Sequence, residues 1–163
     1  MGDLMTMMLA QAKPGRIAAV VRNDIGPVID QRALETLERH AEYMKDNGKL
    51  LYCCEPTGDV SKGTYFMPRL YQIDSIDVLQ QEVFGPCVHI VRFKAGDINK
   101  VVDQINATGF GLTMGIHSRI EERAFELAKQ SRAGNIYINR NMIGAIVGVQ
   151  PFGGRGLSGT GPK

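Results

Sequence analysis

The sequence predicts an α/β fold. Apolar stretches with strand character alternate with helical stretches of about a dozen residues, and the breaks between them fall at Asn, Gly and Pro. Near the end, Leu112 to Asn139 reads as one strand–helix–strand unit of the kind that joins parallel strands.

Taken in order, Met1 to Ala12 is Met-rich, carries Asp3 and no leading positive charge, and suits an amphipathic helix whose apolar face needs a partner. Its apolar run is too short for a transmembrane span and lacks the pattern of a signal peptide. Arg16 to Val21 is an apolar stretch that fits either state. Ile29, Ala33, Leu37 and Ala41 then follow helical spacing, with Asp30 as the cap and Asn47-Gly48 as a left-handed stop, so a helix is expected over 30–46. Lys49 to Cys53 reads as a strand and Glu55 to Gly63 as a loop. Tyr65 to Ile73 is β-favouring, but Pro68 marks it as an edge or bent strand. Val88 to Phe93 is a further strand. Asp97 to Ala107 is a helix capped by Asp97. Leu112 to His117 is a strand, and Glu121 to Ser131 a helix with Phe125, Leu127 and Ala128 as candidate core. Asn135 to Asn139 is the last strand. The final segment has no periodicity and is rich in glycine, from Gly144 to Gly161. Long segments without their own secondary structure are usually functional or disordered.

Composition narrows the function classes. The 163 residues are 44% hydrophobic and 22% charged, as in soluble globular domains, and the length suits one domain. A net charge of +2 with scattered basic residues argues against a nucleic-acid or membrane partner. Cys53, Cys54 and Cys87 make neither a disulfide framework nor a CxxC metal pair, and they read as reduced thiols of a cytoplasmic protein. His40, His89 and His117 lack ligand spacing, so no metal is assigned; His89, in an apolar run, is expected in or beside a core.

Two motifs invite a ligand. Gln81-Glu82-Val83-Phe84-Gly85-Pro86 reads most simply as a turn with a packing aromatic, although a carboxylate there can also accept hydrogen bonds from a sugar diol. Pro151 to Lys163 carries glycines that can expose backbone N–H groups to an anion. It lacks the glycine-lysine-hydroxyl ending of a phosphate loop, and no helix follows it. The bland reading of this tail is a flexible end. No nucleophile–base pair can be assembled from neighbours in the sequence.

The order of the motifs carries a resemblance. Asp24 to Ile29, Glu82 to Pro86, Asn106 with Gly111-Leu112-Thr113, Gly134 to Asn139, and Pro151 to Gly154 with Ser158-Gly159 together resemble the aldehyde dehydrogenase superfamily. Gly144 to Lys163 is similar to its 1-pyrroline-5-carboxylate (glutamate-semialdehyde) dehydrogenase branch, especially to bacterial bifunctional proline-utilization proteins. The resemblance implies a three-layer α/β/α catalytic domain with a mostly parallel sheet. Residues 1–163 would be its C-terminal half and 140–163 its glycine-rich anchor loop. It further implies NAD as cofactor and oxidation of glutamate semialdehyde to glutamate through a cysteine thiolate. A homo-oligomer and a proline dehydrogenase domain are among the implied partners.

Residue by residue, Glu82 resembles the group that hydrogen-bonds the nicotinamide ribose, and Phe84 the aromatic beside it. Gly144 and Ala145 match the pair whose N–H groups bind the substrate carboxylate, and Phe152 the aromatic wall along the substrate. Asn139 is read as supporting the loop. None of the three cysteines occupies the nucleophile position, so no catalytic residue is expected in this chain; the nucleophile and the cofactor domain belong to an N-terminal part. The alternative is a non-catalytic scaffold that keeps the fold. Uncovered apolar faces of the first helix and the strands predict self-association.

Overall fold

The structure, a computed structural model, describes residues 25–56, 58–143 and 148–159. The readings made for Met1 to Ala12 and Arg16 to Val21 lie outside these residues. The chain divides after Arg92 into two compact units.

In the first unit, helix α1 (Gln31–Asn47) forms where the spacing places it. The Asp30 carboxylate accepts the Ala33 N–H at 2.7 Å, satisfying a donor that the first turn leaves open. Its buried stripe is Leu37, His40, Ala41 and Met44, a helical repeat that includes a histidine. Ile29 lies before the helix and is 92% exposed, outside the stripe in which its spacing placed it. The expected left-handed stop at Gly48 is not found. Its backbone is extended (φ −159°), because the chain runs straight into strand β1 (Lys49–Cys53). Glycine serves there for closeness: a Cβ would sit 3.1 Å from Ile73 Cγ2 and 3.3 Å from the Gln72 carbonyl.

Strand β2 (Arg69–Ile73) is central, with β1 antiparallel on one side and β3 (Cys87–Val91) parallel on the other. This corrects the edge assignment drawn from Pro68. The proline falls one residue before the strand, where no ladder N–H is required of it, and its carbonyl accepts from Cys54 N at 2.9 Å. Leu70, facing one side, and Tyr71 and Ile73, facing the other, are all at most 3% exposed, as a covered central strand demands. Leu37, Ala41 and Phe66 form one apolar cluster and Met44, Tyr71 and Ile73 a second; the half-buried Cys87 packs on both.

In the second unit, helix α2 (Ile98–Ala107) follows a 3-10 turn over Ala95–Asp97. Asp97 occupies the cap position but makes no capping bond; its carboxylate takes the Lys100 ammonium at 2.9 Å instead. Short strand β4 (Phe110–Gly111) precedes β5 (Thr113–Ile116), helix α3 (Glu121–Gln130) and β6 (Asn135–Ile138). Strands β5 and β6 are parallel and joined through α3, the crossover expected from the sequence. The core is Val102, Ile116, Ala124 and Leu127, with Ala128, Ile136 and Ile138 partly buried against it. Phe125, an expected core residue, is 55% exposed; Ala124 takes its place, one position along the helical wheel. The glycine-rich segment is not without order: β7 (Arg155–Gly156) pairs antiparallel with β4. The architecture is α/β, with parallel pairing at β2–β3 and β5–β6 and antiparallel pairing at β1–β2 and β4–β7.

Candidate functional site

Glu82 and Phe84 stand together on the turn that leads into β3, both exposed to solvent. Phe84 is 88% exposed, so the bland reading of a packing aromatic fails. Val83 between them is the packing residue, joining the Leu37 cluster. The alternation is what a short extended run produces: the middle side chain turns in and its neighbours turn out. Gly85 then lies directly on Leu37, since a Cβ there would come within 2.5 Å of Leu37 Cδ2. The turn is thus seated on the core by Val83 and Gly85, while its carboxylate and phenyl ring face outward. A carboxylate and an exposed aromatic face on one turn are the groups needed to accept from a ribose diol and to pack against its ring, so the residues fit a nicotinamide nucleoside.

In the second unit, residues 148–159 are tied to the strand framework at several points. Asn135 Nδ2 donates to the carbonyls of Gly153 (2.9 Å) and Leu112 (3.0 Å). Gln150 Nε2 donates to the Tyr137 hydroxyl at 2.7 Å, and Ser158 Oγ accepts from Gly111 N at 3.0 Å. Phe152 lies within this tethered stretch and is 39% exposed. Gly144 and Ala145, read as the carboxylate anchor, lie outside the described residues. The Asn106 amide joins two helix ends, donating to the Gln130 carbonyl at 2.9 Å and accepting from Arg132 N at 2.8 Å. Asn139 adopts φ 53° and makes both its side-chain bonds to Ser118, so it holds the turn after β5 rather than the glycine-rich segment.

Two of the three cysteines are poorly suited to act as thiolates. Burial pushes the Cys54 thiol up, with Cys53 adding to the shift, and pushes Cys87 up to about 11 despite the nearby Arg69 cation. Both are therefore protonated thiols near neutral pH. Among the described residues no group of three or more His, Cys, Asp or Glu is placed to hold a metal ion, and no helix is long and apolar enough to cross a membrane.

One pair escaped the sequence reading. His40 on α1 and His89 on β3 bring their Nε2 atoms to 2.9 Å, with ring centroids 5.0 Å apart, so one imidazole donates and the other accepts. Tyr71 stacks on His89 and meets His40 edge-on. Burial lowers the pKa of both, and His40 lowers His89 further. The unfolded chain then binds more protons than the folded one once the pH falls below the ordinary histidine value of 6.5. The first unit is accordingly at full stability above that value and loses stability as the pH falls through the lowered pKa values, where two facing N–H groups would repel. The urea midpoint of its unfolding should drop between about pH 7.5 and about pH 5.5, and drop less in His40→Gln, which has one group fewer to titrate. Equal drops in both proteins would refute this account.

Comparison with known proteins gives the arrangement its context. The pattern of the aldehyde dehydrogenase family matches residues 3–163. The bifunctional protein PutA of Klebsiella aerogenes is 48% identical over 155 residues, which are 92% of this chain but 12% of that protein. A solved structure of proline utilization A with proline bound in remote sites is 40% identical and superposes with a TM-score of 0.89, over 99% of this chain and 16% of the other. A 1-pyrroline-5-carboxylate dehydrogenase from Thermus, solved with bound NAD, is 31% identical with a TM-score of 0.81, over 94% of this chain and 29% of that one. The chain therefore spans less than a third of the length of each of these proteins. The motif order, the exposed carboxylate–aromatic turn and these matches lead to one conclusion: the chain belongs to the aldehyde dehydrogenase family.

Proposed function

We propose that this chain supplies the nicotinamide-side and substrate-carboxylate contacts of an NAD-dependent dehydrogenase that oxidises L-glutamate γ-semialdehyde to L-glutamate in proline catabolism. The observation that carries the reading is the outward-facing pair Glu82 and Phe84 on a turn seated on Leu37, in a chain whose relatives are PutA and 1-pyrroline-5-carboxylate dehydrogenase. NAD, when bound, accepts the hydride. Glu82 holds the nicotinamide ribose by accepting from its hydroxyls, and Phe84 packs against it; together they restrict the orientation from which hydride can be taken. Backbone N–H groups at Gly144 and Ala145 bind the substrate carboxylate, and Phe152 lines the aliphatic part of the substrate. Residues 1–163 form part of one catalytic domain, with 140–163 as the anchor loop. The nucleophilic cysteine and the cofactor domain come from other parts of a cytoplasmic, homo-oligomeric protein, in which a proline dehydrogenase domain is a further partner.

NADH formation with glutamate γ-semialdehyde tests this. The chain alone should show none, while the longer protein that carries it should turn over. In that longer protein Glu82→Gln should lower kcat/KM about tenfold, the scale of one hydrogen bond to a charged group, with an unchanged melting curve. Turnover by the chain alone would make one of its own cysteines the nucleophile. Full activity of Glu82→Gln would remove the carboxylate from the site.

A further inference from the structure

Strand β6 has two working faces. Ile136 and Ile138 pack on the apolar cluster of Val102, Ile116, Ala124 and Leu127. Asn135 and Tyr137, alternating with them, serve the stretch that begins at Gln150 instead. Asn135 Nδ2 donates to the carbonyls of Leu112 at 3.0 Å and Gly153 at 2.9 Å, which gives each of its two N–H groups an acceptor. The Tyr137 hydroxyl accepts from Gln150 Nε2 at 2.7 Å. The bonds at Gln150 and Gly153 bracket Pro151-Phe152. Of that bracketed pair, the proline has its φ locked by its own ring. Just before the strand, Gly134 puts no side chain in the way: a Cβ there would be driven into the Gly153 carbonyl oxygen. Asn135 is half-buried and Tyr137 is 8% exposed, while Phe152, between the two bonds, is 39% exposed.

We propose that Asn135 and Tyr137 are positioning residues that hold Phe152 as a fixed wall and so set how wide an aldehyde the enzyme accepts; this rests on the function proposed above, in which Phe152 lines the aliphatic part of the substrate. The backbone at 151–154 belongs to no helix or strand, so its place is set by the groups that bond to it and pack on it. Strand β6 is the fixed side of that arrangement, paired with β5 and seated on the core by its isoleucines. An aromatic wall acts through its distance from the substrate, since a gap on the order of 1 Å forfeits much of the dispersion attraction. A slender aliphatic chain needs the wall close, whereas a wider group gains from a wall that yields. Holding Phe152 in place before the substrate arrives lowers the ordering cost for the first and builds a clash against the second. Tyrosine suits the task because its ring is held by packing while its hydroxyl reaches a polar partner.

The experiment uses the longer enzyme that carries this chain, assayed with glutamate γ-semialdehyde and with 3-phenylpropanal, whose ring is wider than an aliphatic chain. Asn135→Ala removes the bond to Gly153, and Tyr137→Phe keeps the ring and removes the bond to Gln150. Each should lower kcat/KM for the semialdehyde about fivefold, the factor expected from one neutral hydrogen bond, with kcat/KM for 3-phenylpropanal unchanged or raised and KM for NAD unchanged. A merely structural role would lower both aldehydes together, and that outcome overturns the proposal. Tyr137→Phe carries the test by itself if Asn135→Ala fails to fold. Phe152→Ala separates this inference from the function it rests on. If Phe152→Ala leaves the ratio of the two aldehydes at its wild-type value, the contact of Phe152 with substrate falls and this inference falls with it. If Phe152→Ala lowers the ratio and neither Asn135→Ala nor Tyr137→Phe does, this inference alone is overturned. Added to Phe152→Ala, either of the other two changes should lower the ratio no further, because the wall it holds is gone. A further loss there would also overturn the inference.

Discussion

Gly134→Ala is expected to destabilise the Phe93–Lys163 unit by about 3 kcal/mol or more, near the upper end of single-residue effects. A Cβ on Gly134 would be driven into the carbonyl oxygen of Gly153 and would also meet Gly154 Cα at 3.3 Å. Neither obstacle is the end of a flexible side chain; both are backbone, and that backbone is anchored by Asn135 Nδ2 on the same Gly153 carbonyl. Relief would require the 153–154 stretch to move away from β6, breaking that bond and shifting the neighbouring Phe152. The expected result is a fall in melting temperature on the order of 10 °C for a unit of this size. Gly96→Ala is the control, since a Cβ there meets nothing within 4 Å, and it should melt with the wild type. If Gly134→Ala did the same, the close approach of the two segments would be wrong.

Leu37→Ala should cost the first unit about 3 kcal/mol, within the range measured for leucine deletions in well-packed cores. Leu37 is fully buried in one cluster with Ala41 and Phe66, against which the partly buried Val28, Leu34 and Val83 pack. Its loss also opens space beneath Gly85, which rests on the leucine methyls. Two readouts follow. The urea midpoint of the chain should fall, while Ile29→Ala, at a position 92% exposed, should leave it unchanged. In the longer enzyme, KM for NAD should rise, because the turn that carries Glu82 and Phe84 has lost its seat. A stable Leu37→Ala would mean that the helix is not the floor of this turn.

The two glycines, Gly85 and Gly134, explain why a glycine in a motif is hard to read from sequence. At both positions the requirement is the absence of a side chain opposite a specific partner, 48 residues upstream for Gly85 and 19 downstream for Gly134. Nothing in the local pattern announces such a partner. Pro68 gives the same lesson in reverse: it predicts an edge or bent strand, but because it falls one residue before the ladder it leaves β2 free to take the central place. Gly48 caps the helix as expected, its N–H donating to the Met44 carbonyl at 3.0 Å, yet with an extended backbone in place of a left-handed one.

Local chemistry was legible in the chain itself. The 3.6-residue repeat that buries Leu37 and Ala41, the Asp30 cap, the five residues of β1 and the β5–α3–β6 crossover all depend on neighbours within a few positions or on a periodicity that sequence displays directly. The order of motifs was enough to place the chain in its family. Tertiary structure alone decided which side of each motif faces outward: that Val83 is partly buried while Phe84 is open, that the Tyr137 hydroxyl meets Gln150, and that His40 meets His89 across 49 residues. Hydrogen bonds and close contacts between distant segments are fixed by packing, and packing is a property of the whole fold that no local spacing encodes.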